Sequence, residues 1–196
     1  MSNALLSAQH LSVRFGGVLA VDDLSFDVRT GEVFTLIGPN GAGKTTVFNL
    51  ISRLYQPTSG HIDYAGPAGT VRLTAQPPHQ IAALGIARTF QNIELFEHAS
   101  VLHNLLIGHH THRRTGFWSD LLFTPKARAA ELQARERVEQ VIDLLDLQHH
   151  RDAPVAGLPY GVRKVVELAR ALCSEPRLLL LDEPSSGLNV EETDDM

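Results

Sequence analysis

The residues best suited to chemistry form one run, Gly38-Pro39-Asn40-Gly41-Ala42-Gly43-Lys44-Thr45, with Thr46 directly behind it. The spacing matches G-x-x-x-x-G-K-[ST], a loop whose glycines let the backbone curl until its N–H groups face phosphate oxygens. A helix opening at the end of the loop brings the positive end of its dipole to the same place. Lys44 is long enough to reach the β- and γ-phosphates, and the Thr45 hydroxyl suits Mg2+. An ordinary glycine-rich turn is the alternative, but the setting between an apolar strand and a helix is the one phosphate chemistry needs. The implied chemistry is binding of a nucleoside triphosphate. The loop alone does not choose among GTPases, small-molecule kinases and ATPases, although a guanine-reading Asn-Lys-x-Asp is absent from the chain.

A second pair, Asp182 and Glu183, ends the apolar run that starts at Arg177. Beside a phosphate site a carboxylate is well placed as a general base; solvated strand-end charges are the bland alternative. The histidines cluster at His109-His110-x-His112 and His149-His150. Without a third ligand type at defined spacing they read as solvated surface, so no metal beyond nucleotide-bound Mg2+ is expected.

Elements must hold these groups in place, and the chain is long enough to supply them. Its 196 residues are 43% hydrophobic and 20% charged, the composition of a globular domain. The net charge of −5 argues against a general nucleic-acid binder. The single cysteine, Cys173, cannot form an internal disulfide, which favours a reducing compartment. No apolar run approaches the ~18–20 residues that span a bilayer. Leu11–Phe15 and Leu24–Val28 alternate as half-buried strands do, with turns at Gly16-Gly17 and Thr30-Gly31. Val33–Ile37 is almost continuously apolar and reads as a strand covered on both faces. A helix follows to about Arg53, and His61–Tyr64 suits another short strand. From about Val101 to Gln148 the pattern is helical. Thr124-Pro125 opens one helix there, with Val138, Val141, Ile142 and Leu145 on one stripe and Glu131 and Arg135 paired outside it. Arg177–Asp182 returns to the buried-strand pattern. This order favours a parallel α/β fold with an inserted helical lobe.

Four further segments stand in an order that resembles the ATP-binding cassette (ABC) ATPases. Gln91, in Ala87-Arg-Thr-Phe-Gln91, resembles the glutamine loop, and Leu158-Pro-Tyr-Gly-Val162 resembles the signature that opens a helix. Leu178-Leu-Leu-Leu-Asp-Glu-Pro184 resembles the Walker B strand, and Ser185–Asn189 the D-loop after it. Arg14-Phe-Gly-Gly17 with Ala20-Val21, Gly85–Gln91 and Leu158–Gly161 is similar to the ATP-binding subunits of branched-chain amino acid importers, and importers of urea or other small amides share much of this. The resemblance covers nearly the whole chain. It implies an α/β P-loop NTPase core with an N-terminal antiparallel β subdomain and an inserted helical lobe. Residues 1–90 would be the nucleotide-binding core, 91–174 the helical lobe with the signature helix, and 175–196 the Walker B and D-loop segment of a single cassette domain.

The resemblance also implies roles. Phe15 would stack on adenine, with a strand-end core residue as the alternative, and Val21 would either close the other side of the base or sit in the core. Asp182 would hold Mg2+, Glu183 would polarise the attacking water, and Gln91 would contact Mg2+ or that water. Tyr160 and Gly161 would present a helix N-terminus to the γ-phosphate held by a second cassette. Behind them Val162, Val165, Val166, Ala169 and Leu172 form one apolar stripe, with Arg163, Lys164 and Glu167 off it. Pro159 and Val162 depart from the common Leu-Ser-Gly-Gly-Gln. The implied activity is ATP hydrolysis that energises an importer, with a soluble ABC ATPase or a non-hydrolysing remnant as alternatives. The implied partners are membrane permease subunits, a second and sister ATPase subunit, and indirectly an extracytoplasmic solute-binding protein; no nucleic acid is expected. The implied place is the cytoplasmic face of the inner membrane. No histidine follows Asp182, and the acidic Glu191–Asp195 reads as the first turn of a helix cut short. The expectation is therefore an incomplete cassette that binds ATP weakly and hydrolyses it poorly by itself.

Overall fold

The apolar positions of the first strand change parity partway along. Leu6 and Ala8 are buried, and so are Leu11 and Val13, an even pair followed by an odd pair. A period-2 strand can keep both pairs on one face only if an extra residue is inserted between them. In the computed structural model, which describes residues 4–89, 93–109 and 125–183, the insertion is at His10. His10 takes φ +52, the pairing register shifts between Ala8 and Leu11, and the His10 N–H donates to Ser25 Oγ at 2.9 Å. Strand β1 (Ala4–Phe15) thus stays amphipathic over 12 residues.

The chain divides into two units, Met1–Ile86 and Ala87–Met196. In the first, β1 pairs antiparallel with β2 (Val18–Arg29) on one side and β3 (Ser59–Gly66) on the other, and β4 (Gly69–Arg72) extends the sheet. The order is β2-β1-β3-β4, the antiparallel subdomain expected from the resemblance. Helix α1 (Lys44–Ile51) buries Val47, Leu50 and Ile51, an i, i+3, i+4 stripe, in the unit whose core also holds Leu6, Leu11, Ile62, Tyr64 and Leu73.

The second unit is helical around one short sheet. Helices α2 (Val101–His109), α3 (Pro125–Leu144) and α4 (Tyr160–Leu172) share a core of Val101, Leu105, Val138, Ile142, Val166 and Ala169. α3 starts at Pro125, and Glu131 and Arg135 pair outside the core at 3.2 Å, both as expected. α2 approaches α4 so closely that a Cβ at Gly108 would lie 2.3 Å from the Arg170 carbonyl oxygen. Asn104 is fully buried. Its Oδ1 accepts from the Phe96 N–H at 2.8 Å, and its Nδ2 donates to the Phe96 and Ser100 carbonyls at 3.1 and 3.0 Å. A buried amide so satisfied ties the segment 96–100 to the helix instead of destabilising it. β5 (Ile86–Arg88) pairs with β6 (Leu178–Leu180).

Three expectations are corrected. Val33–Ile37 is not a strand, and Val33 and Ile37 are 95% and 88% exposed. An apolar run is covered on both faces only when strands flank it, and among the described residues none pairs with this one. Phe34 is stacked on Phe26, with ring centroids 5.2 Å apart. The buried strand at Arg177–Asp182 is shorter than read, since Leu181 is exposed while Asp182 is buried. Finally, Lys164 and Glu167 are not on a wet face of α4. Both are buried, and the Lys164 ammonium sits 5.9 Å from the centre of the Tyr160 ring. A long aliphatic stem lets a lysine enter a packed face while its charge finds a π-cloud, which charge patterning alone does not register.

Candidate functional site

The phosphate loop runs from Gly38 into α1 at Lys44 without an intervening element. Gly43 caps the helix in the left-handed region, at φ +87, and a Cβ there would lie 2.4 Å from the Ala20 carbonyl oxygen and 3.3 Å from Val21 Cγ2. Two independent constraints therefore require glycine: the sign of φ and the approach of β2. Gly41 is also left-handed, at φ +81, and the Ala42 N–H donates to the Pro39 carbonyl at 3.1 Å, which closes the turn. No acidic side chain lies in the first turn of α1, so the partial positive charge at its start is not offset locally. Lys44 Nζ donates to the Gly38 and Pro39 carbonyls at 2.7 and 2.9 Å, folded over the loop it belongs to. An ammonium in that position is held by carbonyl dipoles that a phosphate group would replace with full negative charge.

Phe15 ends β1 and is 45% exposed, beside the Gly16-Gly17 turn. It is not a core residue. Its ring meets Tyr55 edge-on, at 5.1 Å between centroids and 69° between planes. Val21 is buried on β2 against Gly43, which favours its packing role.

In the second unit the two acids at the end of β6 differ in kind. The Asp182 side chain is 4% exposed and pairs with Arg88 across the short sheet, with Arg88 Nη2 donating to Asp182 Oδ2 at 2.8 Å. The Thr89 N–H donates to the Leu180 carbonyl at 3.0 Å, which holds the two strand ends in register. Glu183 is exposed and left-handed at φ +51, a backbone conformation that side chains other than glycine adopt at a cost. One carboxylate is thus fixed and charge-compensated while its neighbour faces water. Tyr160 is 44% exposed at the first position of α4, and Gly161 behind it is buried.

The phosphate-loop residues and Phe15 belong to the first unit, and Tyr160, Gly161, Asp182 and Glu183 to the second. Gln91, the Ser185–Asn189 segment, the Glu191–Asp195 tail and two of the clustered histidines, His110 and His112, lie outside the described residues. Among the described residues no group of three His, Cys, Asp or Glu side chains could hold a metal ion. The Thr45 hydroxyl and the Asp182 carboxylate are hard oxygen donors of the kind Mg2+ takes, so the residue types fit that ion. Two residues escaped the sequence reading. Arg88 lies in the Ala87–Gln91 segment, where its charge was the available signal. Tyr55 had none beyond being aromatic.

Residues 21–186 match the family model for the ABC transporter. The chain is 42% identical over its full length to the high-affinity branched-chain amino acid transport ATP-binding protein LivG of Salmonella typhimurium, covering 75% of that protein. It is 41% identical to the corresponding protein BraF of Pseudomonas aeruginosa, again covering 75%. Among solved structures, the ADP conformation of an ATP-binding cassette of an ABC transporter superposes with a TM-score of 0.80 at 29% identity, covering 99% of this chain and 74% of that one. With a family match over residues 21–186 and 42% identity along its full length to an ATP-binding protein of that family, the chain belongs to the ABC transporter family of ATP-binding cassettes.

Proposed function

We propose that this chain is the ATP-hydrolysing subunit that energises a membrane importer of branched-chain amino acids. The observation that carries the reading is the loop 38–45, where Gly43 is forced by both its φ and the Ala20 carbonyl and delivers Lys44 to the first turn of α1. The substrate class follows the two relatives named above. In this reading one cassette domain binds ATP through Gly38–Thr46, with Lys44 leaving its loop carbonyls for the β- and γ-phosphates and Phe15 stacking on the base. Thr45, Asp182 and Gln91 are the residues that would hold Mg2+, which supplies charge neutralisation at the phosphates. Glu183, exposed beside a fixed aspartate, orients and deprotonates the attacking water. Tyr160 and Gly161 face the nucleotide of a sister cassette, and the pair drives permease subunits at the cytoplasmic face of the inner membrane, supplied by an extracytoplasmic solute-binding protein.

The test is nucleotide binding and turnover by the chain, alone and with its permease. Lys44→Ala is expected to abolish uptake of labelled ATP, and Glu183→Gln to keep binding while turnover falls at least 100-fold, the range of a lost general base. Turnover undiminished by Glu183→Gln would remove that residue from the reaction. Binding without turnover in the wild-type chain would make it a nucleotide-binding remnant.

A further inference from the structure

Two large aromatic rings stand side by side on the first unit with nearly half of each in water. Phe15 is 45% exposed and Tyr55 is 43% exposed, yet they are in edge contact at 5.1 Å. Aromatic pairs usually gain by burial, so a pair left open at the surface has apolar faces to offer. An edge-on partner can cover at most one face of the Phe15 ring, which leaves the other for a flat ligand.

The attachments of the two rings differ. Phe15 ends β1 at a Gly-Gly turn, a place with little to fix a ring. Tyr55 lies four positions past the end of α1 at Ile51, the helix that the phosphate loop opens. The Leu54 and Tyr55 N–H groups both donate to the Asn49 carbonyl, at 2.9 and 3.2 Å. The Tyr55 carbonyl accepts from Arg53 Nη1 at 3.3 Å, while Arg53 Nε donates to the Gln76 carbonyl at 3.0 Å. Arg53 is itself buried, at φ +62. The backbone of Tyr55 is therefore locked to the far end of the helix whose first residue is Lys44.

We propose that Tyr55 is a positioning residue for nucleobase binding: it holds the Phe15 ring at a set place relative to the phosphate loop, so that a nucleotide meets both at once. The proposal rests on the reading of Phe15 as the base-stacking residue. Without Tyr55 the Phe15 ring turns freely on its hairpin, and each binding event must order it again.

Binding of ATP and of inorganic tripolyphosphate to the full chain, measured by calorimetry in one buffer, separates base from phosphate contributions. Tyr55→Leu is expected to weaken ATP binding about 3- to 10-fold, the scale of one aromatic pair, with tripolyphosphate affinity unchanged. Tyr55→Phe, which keeps the ring, is expected to match wild type. Equal losses for both ligands would make Tyr55 a fold residue, and no loss for either would make it a bystander; each result overturns the proposal. Phe15→Ala separates the layers. If it weakens ATP alone while Tyr55→Leu changes nothing, only the role of Tyr55 falls. If Phe15→Ala leaves ATP affinity intact, the base-stacking reading falls and this inference with it. A wild-type chain that takes up neither ligand would end both.

Discussion

Removing Arg88 puts the account of the Asp182 carboxylate at most risk. The two side chains keep only 7% and 4% of their exposure and meet at 2.8 Å, so neither charge has appreciable water to fall back on. A pair at the surface would contribute about 0–1 kcal/mol. Breaking a buried pair from one side costs about 3–5 kcal/mol, because the remaining charge is stranded. Against a domain stability of about 5–15 kcal/mol, Arg88→Met should remove about a fifth or more of it. The double variant Arg88→Met with Asp182→Leu removes both charges of the pair, and should recover most of the loss or exceed wild type. Urea unfolding followed by far-UV circular dichroism reads this as a midpoint that drops in the single variant and returns in the double, with the slope unchanged. A single-variant loss under about 1 kcal/mol would mean the pair is solvated like a surface one. A double variant as weak as the single would mean the damage comes from lost packing, not stranded charge. Either would refute the reasoning. The expected pattern would mean that apolar side chains at both positions stabilise the fold at least as well as the ion pair does.

Further outcomes follow from single features. Gly43→Ala should lose tripolyphosphate binding by tenfold or more in calorimetry and lower the melting temperature, because the new Cβ would meet the Ala20 carbonyl at 2.4 Å; Gly41→Ala, with nothing within 4 Å, should cost only the left-handed backbone, about 1–2 kcal/mol. Cys173 is buried, and desolvation pushes its thiol pKa up to about 12. It should resist a thiol reagent in the native chain and react on unfolding, and because only the unfolded thiol ionises above about pH 8.5, stability should fall as pH rises from there towards 12. The Arg151 guanidinium beside Glu139 holds that carboxylate below its usual range, chiefly by hydrogen bonding. Its contribution is present above the unfolded value and lost as pH falls through the folded one, so Glu139→Gln should flatten the acid limb of a stability–pH profile; the pair is partly solvated, and the effect is small.

The residues that carry local rules were legible before any coordinates. The loop 38–45, the helix after it, the Gly16-Gly17 turn, the Pro125 helix start and the Val138/Ile142 stripe all rest on interactions within a few positions, and all are found. Periodicity failed where burial depends on distant neighbours. Val33–Ile37 has the composition of a central strand but is exposed, and Lys164 has the composition of surface but is buried. The bulge at His10 was recoverable from the parity change between Ala8 and Leu11, a local signal that the alternation of the later residues obscured.

By itself the sequence carried the residue types and spacing of a phosphate-type loop at 38–45, a pair of acids after an apolar run at 182–183, and motifs in the order of the ABC ATPases. Those are short-range or one-residue properties, written in residue type and spacing. Only the tertiary structure decided what each group leans on. Asp182 pairs with Arg88, 94 positions earlier, and Phe15 meets the ring of Tyr55, whose backbone N–H bonds to the Asn49 carbonyl of α1. Contacts over such separations arise when strands pair and helices pack, and no window of sequence specifies which partners that packing will bring together.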